Sequence, residues 1–366
     1  MTTPKGRDVP EVIIPLIQSI RIKNFRGFED ISLQSLDRVN LITGKNNVGK
    51  TALLDALFIQ LGPNNPELML RTNAFRGIER AEADAEEIWG GFFYDRNIEQ
   101  PIDITTNFSD FSRNSLRITL ASSNRSQLPN RKNNRPTYFS TTQIKRDELR
   151  FEYKGTSGLH TSKASIDADG EMQYQRANIR NLKAGVFFGT RTRFPQEDAA
   201  RFSRLERSGA DQEVVKIMKN IEPRLERLSV LYTGGVPLLH ADIGKSQLIP
   251  IPVMGEGMTR ILAIALGIIT FEGGVMLIDE IENGLHYSVL EPVWTAIAET
   301  ARKYQVQVFA TTHSWECTRA AHQAFEKSGV YDFRLHRIER DDEKIKVLTY
   351  DSETIKTSLE MNWEVR

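Results

Sequence analysis

A chain of 366 residues, 40% of them hydrophobic, is long enough to bury a substantial core, as about two domains or one elaborated one. Its 48 basic and 48 acidic side chains cancel, which excludes a global field aimed at nucleic acid or an anionic membrane and leaves only local patches. No apolar run approaches the roughly 20 residues of a membrane span, the start lacks the apolar core of a secretory signal, and the single Cys317 excludes a disulfide framework or a multi-cysteine zinc site. A cytoplasmic protein without a membrane partner is expected.

Residues 1–16 read as a flexible polar lead-in. "LIQSIRIKNFRGFEDISLQSLDRVNLI" then alternates in short runs that read as strands converging on a glycine- and asparagine-rich loop, "GKNNVGKT", residues 44–51. An apolar-periodic helix follows (Ala52, Leu53, Leu54, Ala56, Leu57). Gly44, Gly49, Lys50 and Thr51 satisfy G-x-x-x-x-G-K-[ST], with the strand before and the helix after that this phosphate-binding loop requires. Glycines let backbone N–H groups turn inward around a β-phosphate, so Gly44, Lys45, Asn46, Asn47, Val48, Gly49, Lys50, Thr51 and Ala52 are the expected nucleotide cradle. Within it Lys50 reaches the β/γ-phosphates and the Thr51 hydroxyl ligates Mg²⁺.

From about 102 to 175, strand-like runs ("IDITTNF", "LRITLA", "TTQIKRDELRFEY", "EMQYQ") are interrupted by "SSNRSQLPNRKNNRPTY", too polar and basic to pack and read as a mobile loop. Arg117, Arg125, Arg131, Lys132, Arg135, Lys145, Arg146 and Arg150 fall within 34 residues here. They read either as a solvated loop or as contacts to DNA phosphates. Residues 196–229 carry apolar residues at helical spacing in a charged background broken by Gly209 and Pro223, the pattern of surface helices.

From 247 onward long apolar runs, "ILAIALGIITF", "GGVMLIDE" and "VQVFATTH", give the pattern of buried parallel strands alternating with helices. Val275, Met276, Leu277 and Ile278 lead into Asp279 and Glu280. Asp279 is placed to hold the metal shell and Glu280 to orient or deprotonate an attacking water, although acids after a strand also cap helices. "VQVFATTHS" ends in Thr311, Thr312 and His313, and a histidine there can hydrogen-bond a γ-phosphate. The expected catalytic residues are therefore Lys50, Glu280 and His313, with Thr51 and Asp279 as metal ligands and ATP and Mg²⁺ as cofactors.

The order "GKNNVGKT", "IPVMGEGMTR", "VMLIDEIENGLH", "VFATTHSWE" resembles the ABC-type ATPase head of RecF, SMC-like and OLD-family proteins, and most of all OLD-like ATPases (the AAA_15 and AAA_21 groupings). The resemblance implies an α/β P-loop NTPase with a mixed or parallel sheet core, an antiparallel β subdomain and inserted helices. The likeness runs from about residue 17 to the end, excepting 121–180 and the charged helices, and the head is expected over 17–366: an N-terminal lobe (17–120), a β/loop region (121–180), a helical insertion with connecting strands (181–245) and a C-terminal lobe (246–366). It implies hydrolysis when two heads sandwich two nucleotides, with Glu282 to His286 as the D-loop at that interface. Where the family usually reads L-S-G-G-Q, this chain reads Val253, Met254, Gly255, Glu256, Gly257, without the serine that contacts the partner's γ-phosphate. Backbone N–H groups at Gly255 and Gly257, with Arg260 as the cation, are the substitutes expected there. Gln100 is a weak match to the family's Q-loop glutamine.

The 53 residues after His313 read as a helix, two strands and a last helix, short of the on the order of 100 residues a TOPRIM nuclease needs. The resemblance thus favours an ATPase subunit, a homodimer or larger homo-oligomer, beside a separately encoded effector such as a TOPRIM-type nuclease. Anti-phage systems such as PARIS are built this way, with DNA or a phage protein as trigger. The alternative is a RecF-like repair ATPase that clamps DNA.

Overall fold

The computed structural model describes residues 16–74, 85–121, 148–166, 171–189, 195–342 and 344–361. The lead-in, save Leu16, and Arg125, Arg131, Lys132, Arg135, Lys145 and Arg146 of the basic stretch lie outside the described residues.

In chain order the strands are β1 (Ile17–Phe25), β2 (Phe28–Leu33), β3 (Val39–Thr43), β4 (Ile102–Phe108), β5 (Arg113–Ala121), β6 (Glu148–Gly155), β7 (Gly158–Ile166), β8 (Met172–Gln175), β9 (Gly185–Phe188), β10 (Arg227–Thr233), β11 (Val236–Asp242), β12 (Ile249–Pro250), β13 (Val275–Ile278), β14 (Gln307–Thr311), β15 (Phe333–Asp341) and β16 (Lys344–Tyr350). The helices are α1 (Lys50–Leu61), α2 (Glu67–Ala74), α3 (Ala85–Gly90), α4 (Pro195–Ser208), α5 (Asp211–Met218), α6 (Glu256–Thr270), α7 (Tyr287–Lys303), α8 (Trp315–Lys327) and α9 (Ser352–Glu360).

The core sheet runs β16-β15-β3-β14-β13-β9, parallel except for the antiparallel edge strand β16. Its central strands are apolar without alternation because both faces are covered. Along β13, Met276 and Ile278 pack with α6, α7 and α8, while Val275 and Leu277 face the cluster built around α1. Helix α1 is apolar almost all round because it is sandwiched between this sheet and a second one; Leu53, Leu54, Ala56, Leu57 and Ile59 are all fully buried.

The second sheet is antiparallel, β2-β1-β4-β5-β6-β7-β8, and alternates as a half-solvated sheet should. Ile20, Ile22, Ile104, Leu116, Ile118 and Phe151 point inward. The outer face carries ion pairs, among them Arg21–Asp30, Arg117–Asp103 and Arg150–Glu148. A third, smaller sheet, β10-β11-β12, lies with α4 and α5. The fold is therefore α/β with a mixed core sheet and a separate antiparallel sheet, as the sequence leads one to expect. Among the described residues no helix is long and apolar enough to cross a membrane.

The turn between β1 and β2 is fastened to the phosphate-binding side of the core. Arg26 forms a buried ion pair with Asp55 of α1 (3.1 Å) and stacks 4.5 Å over the Phe92 ring. The same turn delivers Phe28 against Gly49, which fixes the start of α1 relative to the antiparallel sheet.

Candidate functional site

The C-terminal ends of β3, β13 and β14 lie side by side, so Thr43, Ile278 and Thr311 release their following loops at one edge, where ligands bind open parallel sheets. After β3 the chain turns through the glycine loop into α1. Gly44 has φ +139°, and a Cβ there would sit 2.2 Å from the Ile338 carbonyl oxygen of β15; Gly49 has φ +104°, and a Cβ would sit 2.6 Å from the Phe28 ring. Asn47 is also left-handed, at φ 63°, which asparagine tolerates. Lys45, Asn46 and Asn47 are exposed at the loop's tip, Val48 and Ala52 are buried beneath it. Gly49→Ala is expected to cost about 1–3 kcal/mol through backbone strain and the Phe28 overlap. Denaturant unfolding checks this, and a wild-type midpoint would mean that the loop geometry is wrong.

Lys50, the first residue of α1, is 5% exposed. Its Nζ donates to the carbonyls of Gly44 (2.7 Å) and Lys45 (2.9 Å) and lies 3.2 Å from His313 Nδ1. Burial pushes this ammonium down to about 8, opposed by the nearby charges of Asp279, Glu280 and Glu282. With Lys50 donating, His313 Nδ1 accepts, which leaves the imidazole proton on Nε2, 3.5 Å from Glu280 Oε1.

Thr51 Oγ1 lies 3.1 Å from both carboxylate oxygens of Asp279. Asp279 Oδ1 also accepts from Thr311 Oγ1 at 2.7 Å, and Thr311 Oγ1 accepts from the Glu280 N–H at 2.8 Å. A hydroxyl and a carboxylate in contact are the hard oxygen donors Mg²⁺ takes from a protein when phosphate oxygens and water complete its shell. Among the described residues no cluster of three or more His, Cys, Asp or Glu is placed to hold a metal alone, which accords with a cation that comes with its nucleotide. Thr51 and Asp279 fit that role.

Glu280 sits in the left-handed region at φ 48°, a conformation rare for glutamate, at the junction after β13. Its Oε2 accepts from Asn283 Nδ2 at 2.8 Å. Two hydrogen-bonded groups, Lys50 with His313 and Thr51 with Asp279, Thr311 and the Glu280 N–H, thus meet where His313 Nε2 approaches Glu280 Oε1 at 3.5 Å, drawn from three strand ends. A cleft of about 430 Å³ adjoins the loop between Lys45–Val48 and Arg337–Arg340.

The residues expected at the signature behave differently from one another. Gly255, at φ +110°, opens α6 with no side-chain cap, so its first-turn amides are not claimed by a capping side chain. Gly257 packs backbone to backbone on Gly284: a Cβ on Gly257 would sit 2.6 Å from the Gly284 carbonyl oxygen. Arg260 turns into its own subunit instead of facing a partner. Its Nη1 donates to the Gly189 carbonyl (3.1 Å) and its Nη2 to the carbonyls of Asp279 and Glu280, the latter at 3.0 Å. The physical reason is that the carbonyls following β13 and β9 converge on one spot, where a buried guanidinium, one turn into α6, donates to all three.

Gln100 does not join this group; its carbonyl accepts from Asn24 Nδ2 on the turn before β4. The strand beside β13 is β9, so the segment next to the Asp279 strand end follows Phe188, a place no sequence signal marked. The contacts of Thr311 and Asn283 were also invisible in the sequence, where they read as a strand end and part of a turn. His286 caps α7 and stacks on Tyr287, exposed, beside the signature loop. Cys317 is buried, its thiol pushed up to about 12 by that burial, and so chemically inert.

Comparison with known proteins agrees with this geometry. An "ATP/GTP phosphatase" of Helicobacter pylori is 24% identical over 365 residues, covering 93% of this chain and 97% of that protein. The "DNA replication and repair protein RecF" of Bacillus cytotoxicus is 44% identical over 43 residues, 12% of either chain. Among solved structures, the SMC head in "Crystal structure of the SmcHead bound to the C-winged helix domain of ScpA" aligns 94% of this chain with 100% of its own at TM-score 0.51 and 14% identity, a likeness of fold. The family described as "AAA domain, putative AbiEii toxin, Type IV TA system" matches residues 39–316, from the first residue of β3 into α8, and so takes in every group of the site. The chain belongs to this family of AAA/ABC-type ATPases, related to RecF and carried on an SMC-head fold.

Proposed function

We propose that this protein is a Mg²⁺-dependent ATPase that pairs through its nucleotide sites and gates a separately encoded effector, a nuclease, in anti-phage defence. The observation that carries the catalytic part is the convergence of Lys50, Thr51, Asp279, Glu280 and His313 within hydrogen-bond or ion-pair distance of one another at the glycine loop. In this reading Lys50 exchanges its carbonyl and histidine partners for phosphate oxygens. Glu280 takes the proton of the attacking water, and His313 Nε2–H lies on the side of Glu280 where a γ-phosphate would stand. Mg²⁺, held by Thr51 and Asp279 with phosphate oxygens, would neutralise charge on the β- and γ-phosphates.

The phosphatase name of the Helicobacter pylori relative supports nucleotide hydrolysis, and the family's description as the toxin of a two-component system supports a partner encoded alongside. The uncapped start of α6 and the exposure of Val253, just before it, support pairing, since uncapped first-turn amides suit a partner's phosphate and exposed apolar side chains suit a contact. A RecF-like clamp on DNA finds support in the RecF match but less in the basic stretch, because Arg117 and Arg150 are engaged by Asp103 and Glu148.

The test measures phosphate release from ATP by the purified chain with Mg²⁺ and with chelator, and its mass by light scattering with and without a non-hydrolysable ATP analogue. Mg²⁺-dependent release and a doubling of mass are expected. No release under any oligomeric condition sinks the ATPase reading, and a monomer saturated with the analogue sinks the pairing.

A further inference from the structure

Both groups assigned to hydrolysis are held by one short turn of the same chain. Asn283 Nδ2 donates to Glu280 Oε2 at 2.8 Å, and the Asn283 N–H donates to the Glu280 carbonyl at 3.0 Å. These bonds brace a glutamate whose backbone is in the left-handed region and whose other carboxylate oxygen faces His313 Nε2 at 3.5 Å. One residue earlier, Glu282 Oε1 accepts the N–H of His313 at 2.8 Å. Its other oxygen, Oε2, is buried with no hydrogen-bond partner among the described residues, a cost that a residue kept only for solubility would not carry. The turn then reverses at Gly284, φ +76°, whose backbone lies directly on Gly257 at the start of α6. No side chain fits between them, so the start of α6 packs directly on the turn that contacts the two hydrolytic groups.

We propose that Asn283 and Glu282 are positioning residues for the hydrolytic step. Asn283 aims the Glu280 carboxylate, Glu282 fixes the backbone that carries His313, and the start of α6 braces both. This rests on the hydrolytic roles proposed above for Glu280 and His313. It also gives the serine-less signature a role, because contact at Gly255–Gly257 is transmitted through Gly284 to both groups at once.

Asn283→Asp tests it, because aspartate keeps the turn chemistry and the size while replacing the donor facing Glu280 by a like charge. The expected result is a kcat about 10²-fold lower with KM and fluorescent-ATP affinity within about twofold of wild type, as for a misaimed catalytic group. In a Glu280→Gln background the same change is expected to cause no further loss, since its effect passes through Glu280. Glu282→Ala is expected to lower kcat and Glu282→Gln, which keeps an acceptor for the His313 N–H, to restore most of it. Asn283→Ala serves as a second variant should Asn283→Asp fail to fold. A wild-type kcat for Asn283→Asp or Asn283→Ala, or an equal further loss in the Glu280→Gln background, overturns the proposal. Lys50→Ala separates the two levels: if it is inactive while Asn283→Asp is fully active, the positioning role alone fails; if Lys50→Ala is also fully active, the site reading fails.

Discussion

Glu280→Gln is expected to leave ATP bound with wild-type affinity while hydrolysis falls about 10²–10⁴-fold, the usual worth of a positioned general base. The asymmetry follows from how the two acids of "IDE" are held. Asp279 is nearly buried, with its oxygens engaged by Thr51 and Thr311, which leaves it little freedom to act as a base. Glu280 keeps about a third of its side chain open, and among the described residues its carboxylate meets Asn283 and His313, which leaves an oxygen able to take a proton from water. The glutamine amide oxygen still accepts from Asn283, so the local structure survives and only the basicity is lost. Nucleotide that binds without being consumed accumulates paired heads, and light scattering with ATP alone is expected to show twice the protomer mass. Single-turnover phosphate release checks the rate; a wild-type rate removes Glu280 from the chemistry.

How much of this was legible beforehand depended on whether the signal was local. The glycine loop was legible because only glycine meets the φ values at Gly44 and Gly49, and because the approach of Ile338 and Phe28 leaves no room for a side chain. Asp279 and Glu280 were legible because four apolar residues cannot lie in a sheet buried on both faces and be followed by acids without those acids standing at the strand's end. By contrast β9 was hidden: "GVFF" is short, sits among polar residues, and becomes a core strand only by parallel pairing with β13, almost ninety positions away. β7, "GLHTSKASI", was hidden by its solvated outer face, which dilutes the alternation.

Side-chain direction was the other blind spot. "GEGMTR" is compatible with an arginine pointing at a partner, but α6 carries Arg260 to the carbonyls of Gly189, Asp279 and Glu280, where a guanidinium donates to three acceptors in a space that burial makes costly for any unpaired group. That burial lowers its pKa from the free value, opposed by Asp279, Glu282, Glu280 and Glu256, and it makes Arg260 a strut between α6 and the metal-binding strand. Any trans contact at the signature therefore falls to backbone amides. The Asn283–Glu280 link was equally unreadable, since it exists only because Glu280 adopts φ 48° and folds its carboxylate back over the turn.

Lys50→Ala is expected to abolish turnover and to weaken ATP binding by about 10–10²-fold, the worth of one charge-assisted hydrogen bond to phosphate at about 1.5–3 kcal/mol. Without a nucleotide this ammonium is held by two carbonyls and His313, so an arriving phosphate replaces existing partners and releases His313 toward the γ position. The same residue sets a pH dependence whose sign follows from its environment. Burial depresses the Lys50 pKa to about 8, below the free value of 10.5, so the charged form that binds phosphate is lost as pH rises through 8. ATP affinity of the wild type is therefore expected to be flat below pH 8 and to fall by about tenfold per pH unit above it, with a proton taken up on binding in that range. Lys50→Arg, which stays charged, is expected to flatten this profile even if its bulk weakens binding at every pH. Fluorescent-ATP titrations from pH 7 to 9.5 on the three proteins decide it: a wild-type affinity that stays constant to pH 9.5 would mean that Lys50 does not reach the phosphates.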